Sequence, residues 1–147
     1  MPDVPVTNEI VPPGWVVRPG KAFNTHVGPF YQREDGDARR SGFVTDERHG
    51  NKRDVTHGGM IATAFDVAMG NASWDAAKEQ RCATIQLNIT YLGALTLHEF
   101  AEIEVEVTRA TRSLVFVRAV MTAGGRPIAT ADGVWKILAW REEGAQA

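Results

Sequence analysis

An α+β domain, one antiparallel sheet packed on a single long helix, is the fold this sequence predicts. Three observations carry it. From Met60 to Ala72 nearly every residue is apolar or tiny, which reads as a helix buried on almost all sides, and no proline interrupts the longer stretch from about His57 to Lys78. Directly after it the apolar period changes from 3.6 to 2 through several consecutive segments, as expected of strands that turn one face to a helix. Before it, "THVGPFYQRE" and "ARRSGFVTD" flank "DGD", the signature of a hairpin turn.

The elements follow in order. Residues 1–22 hold five prolines (Pro2, Pro5, Pro12, Pro13, Pro19) with little periodicity and read as an irregular arm. The domain proper spans 23–140, and 141–147 is a short tail. After the first hairpin, "ERHGNKRDVT" is polar and reads as a loop. The helix runs from about His57 to Lys78, with Thr56 as a possible N-cap. In "CATIQLNITYL", Ala83, Ile85, Leu87, Ile89 and Tyr91 share one face; Thr84, Gln86, Asn88 and Thr90 share the other. "FAEIEVEVTRA" alternates Ala101, Ile103, Val105 and Val107 against Glu102, Glu104 and Glu106. "SLVFVRAVMTA" and "RPIATADGVWKILAW" complete the sheet, joined through "GGR", a turn signal. There is no internal repeat.

The chain's 147 residues suit one domain, and 44% hydrophobic content is enough to fold unaided. A formal net charge of -2 gives no general attraction to nucleic acid or anionic membrane. The start, "MPDVPVTNEIVPPGW", has no basic segment followed by an apolar run, so no signal peptide is expected. No apolar run approaches the roughly 18 residues of a spanning helix. A single cysteine, Cys82, forms no internal disulfide. Together these lead to the expectation of a soluble cytoplasmic protein.

Within the helical run stands Asp66. Its helical neighbours are Ala62, Thr63, Met69 and Gly70, none of them charged. Either the aspartate lies on the one wet stripe of the helix, or it is a dry, unpaired acid. The second is costly and favours a functional role. Gly58 and Gly59 fall at the expected helix N-terminus. There the first amides lack intrahelical partners and the dipole adds partial positive charge. Without Cβ atoms, a substrate oxygen can come close, so the turn can hold an anion or polarise a carbonyl. A tight turn that merely requires glycine would look the same.

Gly59 and Asp66 are seven residues apart, about 10 Å along a helix axis. One reacting carbonyl does not comfortably reach both within one chain. If both act on one substrate, two helices packed antiparallel across a two-fold axis bring them together, which favours a homodimer with two equivalent sites.

Asn51, His57, Gly58, Gly59, Phe65 and Asp66, followed after the helix by "LNITYL" (Leu87 to Leu92), resemble the PaaI-type hotdog-fold acyl-CoA thioesterases over roughly Phe23 to Leu138. The resemblance implies a long central helix wrapped by a five- or six-stranded antiparallel sheet. It also implies a dimer, usually paired into a homotetramer, and hydrolysis of acyl-CoA thioesters with no metal or other cofactor. By position, Asp66 matches the general base or nucleophile, and Gly59 the amide that polarises the thioester carbonyl, with Gly58 beside it. Asn51 matches an asparagine that holds that carbonyl or the water, and Thr84 a Ser/Thr that orients the water. His57 matches a loop or carbonyl-side hydrogen-bonding residue rather than a base. Two departures stand out. Many members carry glycine at the position of Asp54. And by simple alternation Thr84 lies on the face of its strand away from the helix, so a bulge, or a site contributed across an interface, is required to bring it in.

Other chemistries fit less well. The nucleophile elbow that accompanies the HGG loop of α/β-hydrolases, G-x-S-x-G, is missing from the sequence. His26, His49, His57 and His98 show no metal-ligand spacing. Neither a phosphate-binding P-loop nor a dinucleotide fingerprint is present. No histidine follows the motif at a spacing that would form a dehydratase dyad. Cys82, beside Arg81, reads as ordinary packing. Coenzyme A phosphates call for cations. Arg112 comes first, then Arg109, with Arg126, Lys52 and Arg53 behind, each as well explained by solvated surface charge. The alternative function is a non-catalytic hotdog module that binds acyl-CoA or fatty acid as a sensor.

Overall fold

The computed structural model describes residues 9–139; the proposed tail, 141–147, and the first eight residues of the arm lie outside them. The described chain runs β1 (Trp15–Arg18), α1 (Phe23–Val27), β2 (Phe30–Arg33), β3 (Arg40–Val44), a short 3-10 turn (Glu47–His49), α2 (Gly58–Ala76), β4 (Cys82–Tyr91), β5 (Phe100–Ala110), β6 (Leu114–Ala123) and β7 (Arg126–Ile137). One antiparallel sheet, ordered β1-β2-β3-β5-β6-β7-β4, wraps α2. This is the hotdog arrangement. No helix among the described residues is long and apolar enough to cross a membrane.

The sheet has seven strands rather than five or six, because β1 lies inside the segment read as irregular. Val16 and Val17 of that strand are exposed, so it carries no apolar alternation to read. It is held instead by Trp15, whose ring meets Phe100 edge-on at 5.1 Å and lies under the Arg33 guanidinium at 5.2 Å.

α2 buries Met60, Ile61, Ala64, Phe65, Ala68, Met69, Ala72 and Ser73, spaced three and four apart as one helical face requires. The alanines let the sheet approach closely around Phe65 and Met69. The expectation of burial on almost all sides is corrected for the single chain: Asp66 and Trp74 are exposed, and Thr63, Val67, Gly70 and Asn71 only half-buried. These six form one continuous stripe. The helix ends at Ala76, two residues before the expected Lys78, where Lys78 and Glu79 take left-handed φ of 54° and 64° and turn the chain into β4.

At one end of the sheet, Glu99 clamps the approach to β5. It accepts two 2.9 Å bonds from Arg126 and two more from the Thr96 amide and hydroxyl. The Arg126 bond, then the Thr96 bonds, hold its carboxyl down at about 2 against an ordinary 4.5, with burial opposing. A carboxyl depressed on folding contributes stability above its unfolded pKa and loses it as pH falls. Glu99→Gln is therefore expected to lower the urea midpoint at neutral pH, and the gap to wild type to narrow as pH drops from 4.5 toward 2. A gap independent of pH would show that the charge contributes nothing.

Candidate active site

β4 makes the site by an irregularity. Its register against β7 runs Cys82↔Ile137, Ala83↔Lys136, Thr84↔Trp135, then slips, with Gln86 opposite Val134 and Leu87 opposite Gly133. Ile85 is the extra residue and stands 58% exposed. A bulge of this kind lets two residues oppose one. Paired residues share a face, and Trp135 and Gly133 face the helix, so Thr84 and Leu87 both point inward. The simple alternation that put Ala83 and Ile85 inward and Thr84 outward is thereby corrected.

The consequence is direct: Thr84 Oγ1 donates a 2.7 Å hydrogen bond to Asp66 Oδ1. Two residues eighteen apart in sequence meet across the helix–sheet seam. Asp66 is neither dry nor unpaired in the single chain; it is solvent-facing with one oxygen engaged and the other open. Both residues line an open groove of about 390 Å³ together with Val67, Gly70, Trp74 and Trp135.

At the helix N-terminus the cap is His57, not Thr56. His57 Nδ1 accepts the Gly59 amide at 2.8 Å, and the Met60 amide returns to the His57 carbonyl at 2.9 Å. The Gly59 amide, expected to polarise a carbonyl, is thus occupied. Gly58 has the first amide of the helix, which makes no hydrogen bond among the described residues. Tyr91, from the inward face of β4, donates 2.8 Å to the Gly58 carbonyl. A Cβ at position 58 would lie 3.3 Å from that tyrosine ring, so glycine lets the strand clamp the helix start. Tyr91 was expected only as an apolar-face residue; its position within "LNITYL" was the available signal.

Asn51 opens the preceding loop. Its Oδ1 accepts the Arg53 amide at 2.8 Å, which leaves the side-chain NH₂ as the group free to face a ligand. Asp54 sits at φ 56°, a left-handed conformation suited to glycine that aspartate tolerates. The loop keeps its turn without the glycine.

The cations divide. Arg126 is committed to Glu99. Arg109 and Arg112 are exposed near the β5–β6 turn and do not line the groove of their own chain, whereas Arg81 does. Lys52 and Arg53 are exposed beside the helix start. No cluster of metal-ligating side chains occurs among the described residues.

Comparison with known proteins agrees with this architecture. The thioesterase superfamily pattern matches residues 54–130. A candidate esterase of Pseudomonas aeruginosa is 30% identical over 115 residues, covering 76% of this chain and 84% of that protein. Among solved structures, a hypothetical thioesterase of Streptococcus pneumoniae with coenzyme A superposes with a TM-score of 0.66 at 18% identity, over 87% of this chain and 91% of that one. A mutant of the phenylacetic acid degradation protein PaaI of Thermus thermophilus does so with 0.63 at 17% identity, over 67% and 84%. With the pattern covering the helix, β4 and most of the sheet, this chain is a hotdog-fold member of the thioesterase superfamily.

Proposed function

We propose that the protein hydrolyses an acyl-CoA thioester to a free acid and CoA, at two equivalent sites shared between two chains. The hydrogen bond from Thr84 to Asp66 carries this reading. Thr84 gives its one proton to Oδ1, which leaves Oδ2 as the proton acceptor and the Thr84 oxygen lone pairs beside it. A water set between them donates to both. Asp66 takes one proton from that water, and the water oxygen attacks the thioester carbonyl carbon. Negative charge then moves onto the carbonyl oxygen. As it returns, the carbon–sulfur bond breaks and the CoA thiolate leaves, taking up the proton that Asp66 removed from the water and so regenerating the carboxylate. Direct attack by the carboxylate itself would instead pass through a covalent anhydride; the adjacent threonine oxygen favours the water.

The oxyanion needs a donor, and the Gly58 amide at the positive end of α2 is the one left open. Gly58 and Asp66 are eight residues apart in one helix, about 12 Å along its axis. A second chain supplies the missing half. β4 offers the surface: it is an edge strand of ten residues, and its Ile85 and Tyr91, the following Leu92 and Trp74 of α2 are all exposed by 40% or more. An unpaired edge and an apolar patch together favour pairing. Asn51, through its NH₂, and His57, through the turn it caps, belong to the carbonyl side of each site. Arg112 and Arg109 remain the proposed partners of the CoA phosphates, now with Arg81.

The test is release of free thiol from short, medium, long and aryl acyl-CoAs. Turnover of any one above the uncatalysed rate supports the hydrolase. Binding of acyl-CoA without thiol release across the whole set would favour the sensor instead.

A further inference from the structure

Trp135 closes the floor of the groove beside Asp66, and its ring is only 2% exposed. Its one polar atom, the indole nitrogen, donates no hydrogen bond among the described residues. Two glycines lie against the two edges of the ring. At Gly133 a Cβ would come within 2.6 Å both of the six-membered ring and of the Gln86 carbonyl oxygen, so the ring and the neighbouring strand alike require glycine there. At Gly70, on the groove-lining stripe of α2, a Cβ would stand 3.5 Å from Nε1, an ordinary contact that alanine would satisfy. Packing within the chain therefore does not demand Gly70, although glycine in a helix interior costs stability relative to alanine. Gly70 and Trp135 both line the groove, so without a side chain at position 70 the groove reaches the edge of the indole that carries Nε1.

Resting on the hydrolase reading, we propose that Trp135 is a specificity residue. Its N–H hydrogen-bonds an oxygen carried by the acyl group, so the preferred substrates are acyl thioesters with a carbonyl or hydroxyl oxygen well beyond the reacting carbonyl. Position sets the reach. Gly70 is four residues, one helical turn, beyond Asp66, about 6 Å along the axis. An oxygen on the fifth carbon of an extended acyl chain lies roughly 5 to 6 Å from the thioester carbonyl carbon, which is that range. Indole N–H is a donor only, and the packed ring cannot turn to present anything else. Asn71 also lines the groove, but its amide swivels and serves donors and acceptors alike. An acyl group that offers only hydrocarbon would strip water from the N–H without replacing it, which is the strongest form of discrimination against a substrate lacking the oxygen.

The experiment compares 5-oxohexanoyl-CoA with 5-methylhexanoyl-CoA, which are close in size and differ by an oxygen in place of a methyl group. The wild type is expected to favour the oxo substrate in kcat/KM by about tenfold, the scale of one net hydrogen bond. Trp135→Phe removes the N–H and should bring the ratio near one. Gly70→Ala, which fills the space with a helix-favouring residue and so folds readily, should lower it as well. A wild-type ratio near one, or a ratio that survives both substitutions, overturns the proposal. Should neither thioester be hydrolysed, the hydrolase reading itself fails only if no acyl-CoA of the short, medium, long and aryl set is hydrolysed, which keeps its failure distinct from that of the subsite. The same pair as non-hydrolysable thioethers then measures the subsite by calorimetry: a tenfold affinity ratio lost in Trp135→Phe supports it, and equal affinities overturn it.

Discussion

Asp66→Asn is expected to reduce turnover at least roughly 100-fold, the lower end of what a general base supplies, without loss of the fold. The substitution is a narrow one. Asparagine keeps an oxygen at the position where Asp66 Oδ1 accepts the 2.7 Å bond from Thr84, so the tie between α2 and β4 can persist. What disappears is the negative charge and the second oxygen's capacity to take a proton. Asp66 is exposed in the single chain, so the variant introduces no cavity. Thiol release measures the effect, with circular dichroism and sedimentation to show that secondary structure and assembly are retained. A covalent nucleophile at the same position would give an equal or larger loss. Near-normal turnover in a folded protein would reduce Asp66 to a polar residue on the wet stripe of its helix and remove the proposed mechanism with it.

Much of the fold was legible because burial leaves a period. α2 and the strands β4 to β7 were visible as a shift from 3.6 to 2, and the β2–β3 hairpin through its Asp-Gly turn. β1 was not, since its valines face solvent and its anchor, Trp15 against Phe100, is a contact across most of the chain. The site was legible in residue types and less so in geometry. A bulge is one unpaired residue, and hydrophobicity does not mark it: Ile85 looks like a core residue in sequence and is the one extruded. That single slip decides whether Thr84 meets Asp66. At the helix start, glycine spacing marked a candidate amide site but not which amide is left unpaired. The choice rests on the His57 side chain folding back onto Gly59, a local bond that competes with the Thr56 cap and leaves Gly58 open. Arg126 likewise reads in sequence as one more candidate for the CoA phosphates, and its pairing with Glu99 is a contact the sequence does not show.

Mixing two inactive variants is expected to restore activity, because each proposed site draws its amide and its acid from different chains. Asp66→Asn removes the acid. Gly58→Pro removes the open N–H at the first helical position, where proline is well tolerated. His57 precedes it at φ -61° and ψ 137°, the extended conformation that a residue before proline prefers, while the new ring needs Tyr91 to give by a few tenths of an ångström. Each homodimer should be nearly inactive, since every one of its sites carries one defect. In a heterodimer the defects segregate: one site receives both and the other receives neither. Activity should return to about half of the wild-type value per heterodimer by this two-site symmetry. If amide and acid came from one chain, every site in the mixture would carry a defect and activity would stay flat. The two chains are tagged to differ in mass, so that subunit exchange is measured directly. Exchange without recovery, with both variants folded, would rule out the shared site. Recovery that follows the heterodimer fraction would place Gly58 of one chain beside Asp66 of the other, the arrangement favoured by their separation of about 12 Å along one helix.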